Sequence, residues 1–298
     1  MPWLQLITNT PRDQASIIED AFINAGAVSV TFQEHIPSGL EEQPILEPGL
    51  GETPLWDQAR ITGLFTSDCS TQQVDWLLQQ TLDPLPTTRW EQLEDKDWER
   101  EWMSNYQPIQ CAKSLWICPS WQSPPDPSAT NILLDPGLAF GTGTHPTTFL
   151  CMQWLASQEL TQKQVIDYGC GSGILGITAL KLGAKEAIGI DIDPQALIAT
   201  ENNVKNNGLY AKQFTAHLPE KVPSIKTVDI VIANILAGPL VELADELLAL
   251  LKPGGKICLS GVLASQESAV KAAYQHQIIF EPTSQKEEWI QLSGHRMT

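Results

Sequence analysis

The chain has 298 residues, enough for one large or two ordinary domains. Its 35 acidic and 18 basic residues leave a net charge of −17. That field repels nucleic-acid phosphates, which argues against direct nucleic-acid binding, and it attracts a basic partner; the bland alternative is a surface that simply stays soluble. No apolar run reaches membrane-spanning length, and Met1-Pro2-Trp3-Leu4-Gln5 lacks the basic and apolar stretches of a secretory signal. The six cysteines form no C-x-x-C pair, which favours reduced thiols in the cytoplasm, and the five scattered histidines form no metal-ligand cluster.

The charge is uneven. Residues 1–125 hold eighteen acids and six bases, a net of −12, against −5 for residues 126–298. The first 96 residues read as a small α+β domain. Trp3 to Thr8 alternates like a strand, and Arg12 to Ala25 places Ile17, Ile18, Ala21 and Phe22 at helical spacing before a capping Gly26. Strands are expected over Ala27–Gln33, Arg60–Phe65 and Arg89–Leu93, a helix over Thr71–Thr81, and a proline-rich acidic loop over Pro37–Asp57. The order β-α-β-β-α-β predicts a ferredoxin-like sandwich, a fold that carries no chemistry by itself.

Residues 97–125 read as a connecting segment. Asp97 to Tyr106 predicts a short helix whose Trp98 and Trp102 share a face, more as a packed seam than as a substrate contact. Leu115–Trp121 and Asn131–Leu134 are strand patterns on either side of Pro124-Pro125-Asp126-Pro127, and the domain boundary is placed near residues 105–125. From Thr147 onward, within a second domain spanning 126–298, alternating α and β patterns fit a doubly wound sheet. Gln277–Pro282 and Glu288–Ser293 would add an antiparallel edge hairpin.

The chemistry-bearing stretch is Val165-Ile166-Asp167-Tyr168-Gly169-Cys170-Gly171-Ser172-Gly173-Ile174-Leu175-Gly176. A strand ends in an acid, a glycine-dense turn follows, and a helix runs on towards Gly183. Glycines 169, 171 and 173 allow a tight turn and close approach to a ligand. A second strand, Ala187-Ile188-Gly189-Ile190, ends in Asp191, placed to accept from ribose hydroxyls. Two readings compete. From Gly171 the sequence matches G-x-G-x-x-G with an acid twenty positions on, the dinucleotide fingerprint. From Asp167 it is D-x-G-x-G-x-G, which resembles motif I of class I S-adenosylmethionine-dependent methyltransferases. A carboxylate beside the turn would repel a pyrophosphate but tolerates the ammonium and sulfonium of S-adenosylmethionine. Val228–Leu236 and Leu251–Leu259 resemble the fourth and fifth strand regions of the same class, and together the segments favour the methyltransferase.

Further segments narrow the resemblance. Asp97-Trp98-Glu99-Arg100-Glu101-Trp102, the run Leu134-Asp135-Pro136-Gly137-Leu138-Ala139-Phe140-Gly141-Thr142-Gly143-Thr144-His145-Pro146-Thr147-Thr148, Asn234-Ile235-Leu236-Ala237 and Lys286-Glu287-Glu288-Trp289 resemble the bacterial ribosomal protein L11 methyltransferases over nearly the whole chain. The resemblance implies a Rossmann-like class I methyltransferase sheet preceded by a substrate-recognition domain. It also implies S-adenosylmethionine as cofactor and ribosomal protein L11 as a basic substrate, methylated on lysine ε-amines and on its α-amine. A monomer in the cytoplasm is expected, with no metal. By carry-over, Thr148, Gly169, Asp191 and Asn234 match the family's cofactor-binding positions, and Gly171 and Gly173 join them through the turn. Asn234 could instead cap the following helix, and Asp191 could be a turn acid before Asp193-Pro194.

The run from Phe140 to Thr148 suggests a mobile loop over the cofactor, or else a structural turn. His145 invites a general-base role because its ordinary pKa lies near neutrality. Positioning and desolvation could suffice instead, so no catalytic proton acceptor is assigned. Three other readings stand beside this one: a glutamine or adenine N-methyltransferase, a nicotinamide-dependent oxidoreductase, and a binding module without turnover. The first is disfavoured because Asn234 is followed by Ile-Leu-Ala rather than Pro-Pro-Tyr, and because the surface is acidic.

Overall fold

The computed structural model describes residues 3–36, 45, 54–93, 106–135, 141, 143–222 and 227–298. It divides into two compact units, residues 1–103 and 104–298. In the first, β1 (Trp3–Pro11), α1 (Ala15–Asn24), β2 (Ser29–Glu34), β3 (Gln58–Thr66), α2 (Thr71–Thr81) and β4 (Thr88–Leu93) form an antiparallel sheet of order β2-β3-β1-β4 beside two helices. Leu6, Ile61 and Phe65 alternate onto the face that buries Ile18, Phe22, Val74 and Leu78 of the helices. This is the ferredoxin-like arrangement expected from the element order. Ser70 caps α2 by accepting from the Gln73 N–H at 3.3 Å. Most of the Pro37–Asp57 loop lies outside the described residues, as does the expected helix with Trp98 and Trp102 apart from Tyr106 at its end.

The second unit opens with a three-stranded sheet of β5 (Ile109–Ala112), β6 (Leu115–Cys118) and β7 (Thr130–Leu133), β5 antiparallel and β7 parallel to β6. Cys111, Leu115, Ile117 and Ile132 are buried in that unit's core. Residues 109–118 are therefore core strands and not a connector. Pro124-Pro125-Asp126-Pro127 lies on the link between two paired strands. The strand expected to reach Trp121 stops at Cys118 because Pro119 has no N–H for the ladder.

The main sheet is built from β8 (Gln164–Tyr168), β9 (Glu186–Ile190), β10 (Phe214–His217), β11 (Val228–Asn234), β12 (Leu251–Leu263), β13 (Ile278–Phe280), β14 (Ser284–Lys286) and β15 (Trp289–Arg296). Helices α3 (Pro146–Ala156), α4 (Ile174–Lys181), α5 (Pro194–Asn206), α6 (Ala237–Glu242), α7 (Ala244–Ala249) and α8 (Glu267–Tyr274) are interleaved with the strands. The order is β10-β9-β8-β11-β12-β15-β13, with β14 also on β15. The strands from β10 to β12 run parallel, while β15 runs antiparallel to β12 and β13. That order is the class I methyltransferase fold. The last two predicted strands do pair antiparallel, but β15 lies inside the sheet and β13 forms the edge. The order reverses between β8 and β11, and at such a switch point the carboxyl ends of neighbouring strands open into one crevice. One apolar layer packs α3 and α4 on the sheet, and another packs α6, α7 and α8.

Candidate functional site

The crevice is bounded below by the turn from β8 into α4. Gly169 has φ +73° and Gly173 φ +78°, a region that side-chain-bearing residues rarely occupy. A Cβ at Gly169 would collide with the Ile235 side chain, and one at Gly173 would stand 2.8 Å from Thr200 Cγ2. Four of the turn's N–H donors are met within the chain. Gly169 and Cys170 donate to the Ile190 carbonyl at 2.7 and 3.0 Å, and Gly173 donates to the Cys170 carbonyl at 2.7 Å. Gly171 donates to Asp191 Oδ2 at 2.8 Å.

Above the turn lies a cavity of about 420 Å³, within the usual range for small-molecule sites. Thr148, Gly169, Gly171, Asp191 and Asn234 line it together, with Tyr168, Ile174, Leu175, Ile235, Leu236 and Pro239 among the apolar part of the wall. Five of the six residues expected at the site thus converge. The sixth, Gly173, is not in the wall; it is a glycine because of its backbone conformation and Thr200. Two apolar side chains at the rim escaped the sequence reading: Ile192 is 83 % exposed and Leu236 55 %. Nothing in a periodic pattern marks an apolar residue left bare, though Ile192 directly follows the strand-end acid.

Three polar side chains in the wall have distinct settings. Asn234 Nδ2 donates to Thr148 Oγ1 at 3.3 Å, whereas Asn234 Oδ1 is buried without a partner. Asn234 does not cap α6, whose first turn follows Leu236 with no side-chain cap. A buried acceptor left open in a cavity wall is costly unless a ligand meets it. Asp191 Oδ1 accepts from the Asp193 N–H at 3.0 Å, so Asp191 organises its turn as well as facing the cavity. Each carboxylate oxygen keeps accepting capacity.

Asp167 is placed differently from expectation. It lies behind the turn, buried, with Oδ2 accepting from the Gly176 N–H at 2.8 Å and Oδ1 unpartnered. Burial pushes its carboxyl up to about 7, opposed by the Gly176 N–H and reinforced by the Asp191 charge. The carboxylate that faces the cavity at this turn is therefore Asp191.

His145 caps α3. Its Nδ1 lies 2.7 Å from Thr147 Oγ1 and 3.4 Å from the Thr147 N–H, and its ring meets Trp289 edge-on at 4.8 Å. Burial lowers its pKa, with Glu287 partly offsetting. It is not in the cavity wall. Phe140 and Thr142 lie outside the described residues; of the rest of this run Gly141, Gly143, Thr147 and Thr148 are buried, His145 and Pro146 half-buried and Thr144 exposed. The Gly141 carbonyl accepts from Ser172 Oγ at 2.8 Å, and Thr147 and Thr148 are buried. Among the described residues no cluster of side chains could hold a metal.

The family described as Ribosomal protein L11 methyltransferase (PrmA) matches residues 2–297. The ribosomal protein L11 methyltransferase of Saccharophagus degradans is 56 % identical over 295 residues, 99 % of each chain. That of Pseudomonas aeruginosa is 50 % identical over 297 residues, again 99 % of each. A solved ribosomal protein L11 methylase from Lactobacillus delbrueckii subsp. bulgaricus superposes with a TM-score of 0.59 at 32 % identity, covering 65 % of this chain and 100 % of that one. Sequence and topology agree, and the chain belongs to the ribosomal protein L11 methyltransferase family.

Proposed function

We propose that this chain transfers methyl groups from S-adenosylmethionine to lysine ε-amines and the N-terminal α-amine of ribosomal protein L11. One observation carries the cofactor reading: the N–H groups of Gly169, Cys170, Gly171 and Gly173 are spent on Ile190, Cys170 and Asp191. A pyrophosphate needs those donors free and would face the Asp191 carboxylate. A nucleoside without phosphate needs neither, and its ribose hydroxyls match the acceptor capacity left on Asp191. Thr148 and Asn234 offer a hydroxyl and an unpartnered carbonyl oxygen on the facing wall, and Ile192 offers an apolar rim.

Bound here, S-adenosylmethionine supplies an electrophilic methyl on its sulfonium. The chain's part is to hold the acceptor amine in line, exclude water and let the amine lose its proton. A lysine ε-amine has an ordinary pKa near 10.4, and a largely apolar wall disfavours its charged form. No residue is assigned as the proton acceptor. The first unit is the proposed substrate-recognition domain and residues 104–298 the cofactor-binding domain. The net charge of −17 suits a basic protein partner and not nucleic acid. Among the described residues no helix is long and apolar enough to cross a membrane; we place the protein in the cytoplasm as a monomer.

The test is to incubate the full chain with methyl-labelled S-adenosylmethionine and purified ribosomal protein L11, then map the label by mass spectrometry. Label on lysine ε-amines and the α-amine is expected. Absence of label from L11 under conditions where the cofactor binds would overturn the substrate assignment.

A further inference from the structure

Gly261 lies on β12, outside the cavity wall. The strand slips register there: Ser260 faces Gln291 of β15 and Val262 faces Ile290, so Gly261 bulges between them with φ +83°. Bulges of this kind re-aim neighbouring chain and gather beside active sites. A Cβ at 261 would collide with the Ile235 carbonyl oxygen and stand 2.7 Å from the Ile235 carbonyl carbon and 3.1 Å from its nitrogen. Ile235 is also the residue whose side chain a Cβ at Gly169 would strike. One glycine thus abuts its main chain and another its side chain. A side-chain tip can rotate out of the way; main-chain atoms move only if the whole Asn234–Leu236 wall moves.

We propose that Gly261 is a positioning residue for methyl transfer, its bulge fixing where the Asn234–Leu236 wall stands and so how the acceptor amine lines up with the donor methyl. The inference rests on the methyl-transfer reading above. The three nearest atoms to a Cβ at 261 all belong to Ile235, whereas the turn's bonds to Ile190 and Asp191 do not involve it. A displaced wall should therefore harm alignment more than cofactor capture, which loses only what Asn234 and its neighbours in the wall contribute, and misplacement by about 1 Å can cost roughly 100-fold in rate.

The test compares Gly261→Ala with Gly254→Ala in the full chain. Gly254 is on the same strand with φ +72°, but a Cβ there meets nothing closer than Thr298 Cγ2 at 3.8 Å. Both variants carry the strain of positive φ; only the first presses on Ile235. With saturating S-adenosylmethionine and L11 as acceptor, Gly261→Ala should lower kcat by about 10–100-fold while its Kd for the cofactor stays within about threefold. Gly254→Ala should lower Tm without changing kcat. Equal kcat in the two variants, or a fall in kcat matched by an equal loss of cofactor affinity, would overturn the proposal. If Gly261→Ala does not fold, Ile235→Ala frees the wall from Gly169 instead. Ile235 also lines the cavity, so some cofactor affinity goes with it, but kcat at saturating cofactor should fall by about tenfold. An unchanged kcat there would sink the proposal equally. A wild-type chain that transfers no methyl group would be a failure of the methyl-transfer reading itself, visible before any variant is made.

Discussion

Asp191 Oδ2 accepts the Gly171 N–H at 2.8 Å, tying the rim of the second parallel strand to the turn after the first. One carboxylate thereby holds a turn donor and keeps acceptor capacity towards the cavity. Replacing Asp191 with Ala removes the charge-assisted ribose contact proposed above and frees the Gly171 N–H. We expect S-adenosylmethionine affinity to fall by about 1.5–3 kcal/mol, measured by calorimetry, with the fold retained by circular dichroism. Unchanged affinity would mean the ribose is held elsewhere.

Asp167 makes a pH prediction. An acid whose folded-state pKa lies above its unfolded value stabilises the fold in its protonated form, so its contribution is present at low pH and lost as pH rises through the folded value. For Asp167 the window runs from 3.8 to about 7. Asp167→Asn keeps an acceptor for the Gly176 N–H and cannot ionise. Denaturant unfolding from pH 4 to pH 8 should show the wild type losing on the order of a few kcal/mol that the variant does not lose. Parallel curves for the two proteins would show that this carboxyl is not the buried, raised group described.

Thr148 and Asn234 hold each other across the cavity wall at 3.3 Å. Thr148→Val matches the shape and deletes the hydroxyl in a fully buried position. A loss of about 1–3 kcal/mol of stability is expected by thermal unfolding, because Asn234 Nδ2 loses its partner. Cofactor affinity should fall as well. Wild-type stability and affinity in this variant would leave the pair without a role.

His145 is given the work of a helix cap. His145→Asn preserves an N-cap acceptor, so the pH profile of kcat should keep its shape, whereas His145→Ala should cost about 1 kcal/mol of stability. Loss of an ionisation from the kcat profile of the Asn variant would restore the general-base role.

What could be read beforehand was local. The turn residues, both strand-end positions and all six elements of the first unit follow from periodicity and glycine placement within a few residues. Long-range partnership was not legible. Ile109–Ala112 is too short for a pattern of its own and is a strand only because β6 pairs with it. Gly173 read as a ligand glycine because its constraint, Thr200, comes from the next helix. Asp167 and Asp191 look alike as strand-end acids, and only the fold buries one and leaves the other facing the cavity. The clamp on Ile235 joins residues 169, 235 and 261, which no local pattern connects.

The proposed division of labour follows the two units. Residues 104–298 contain every cavity residue and their own core. A chain beginning at Ser104 should therefore bind S-adenosylmethionine normally yet fail to methylate L11, since capture is assigned to the acidic first unit. Undiminished L11 methylation by a folded truncation would refute that assignment.

The most direct measurement is a calorimetric titration of the full-length protein with S-adenosylmethionine and, separately, with NAD. The occupied N–H groups of Gly169, Cys170, Gly171 and Gly173 and the Asp191 carboxylate predict saturable one-to-one binding of S-adenosylmethionine and no measurable binding of NAD. Tight binding of NAD with none of S-adenosylmethionine would contradict the reading of this cavity at its root.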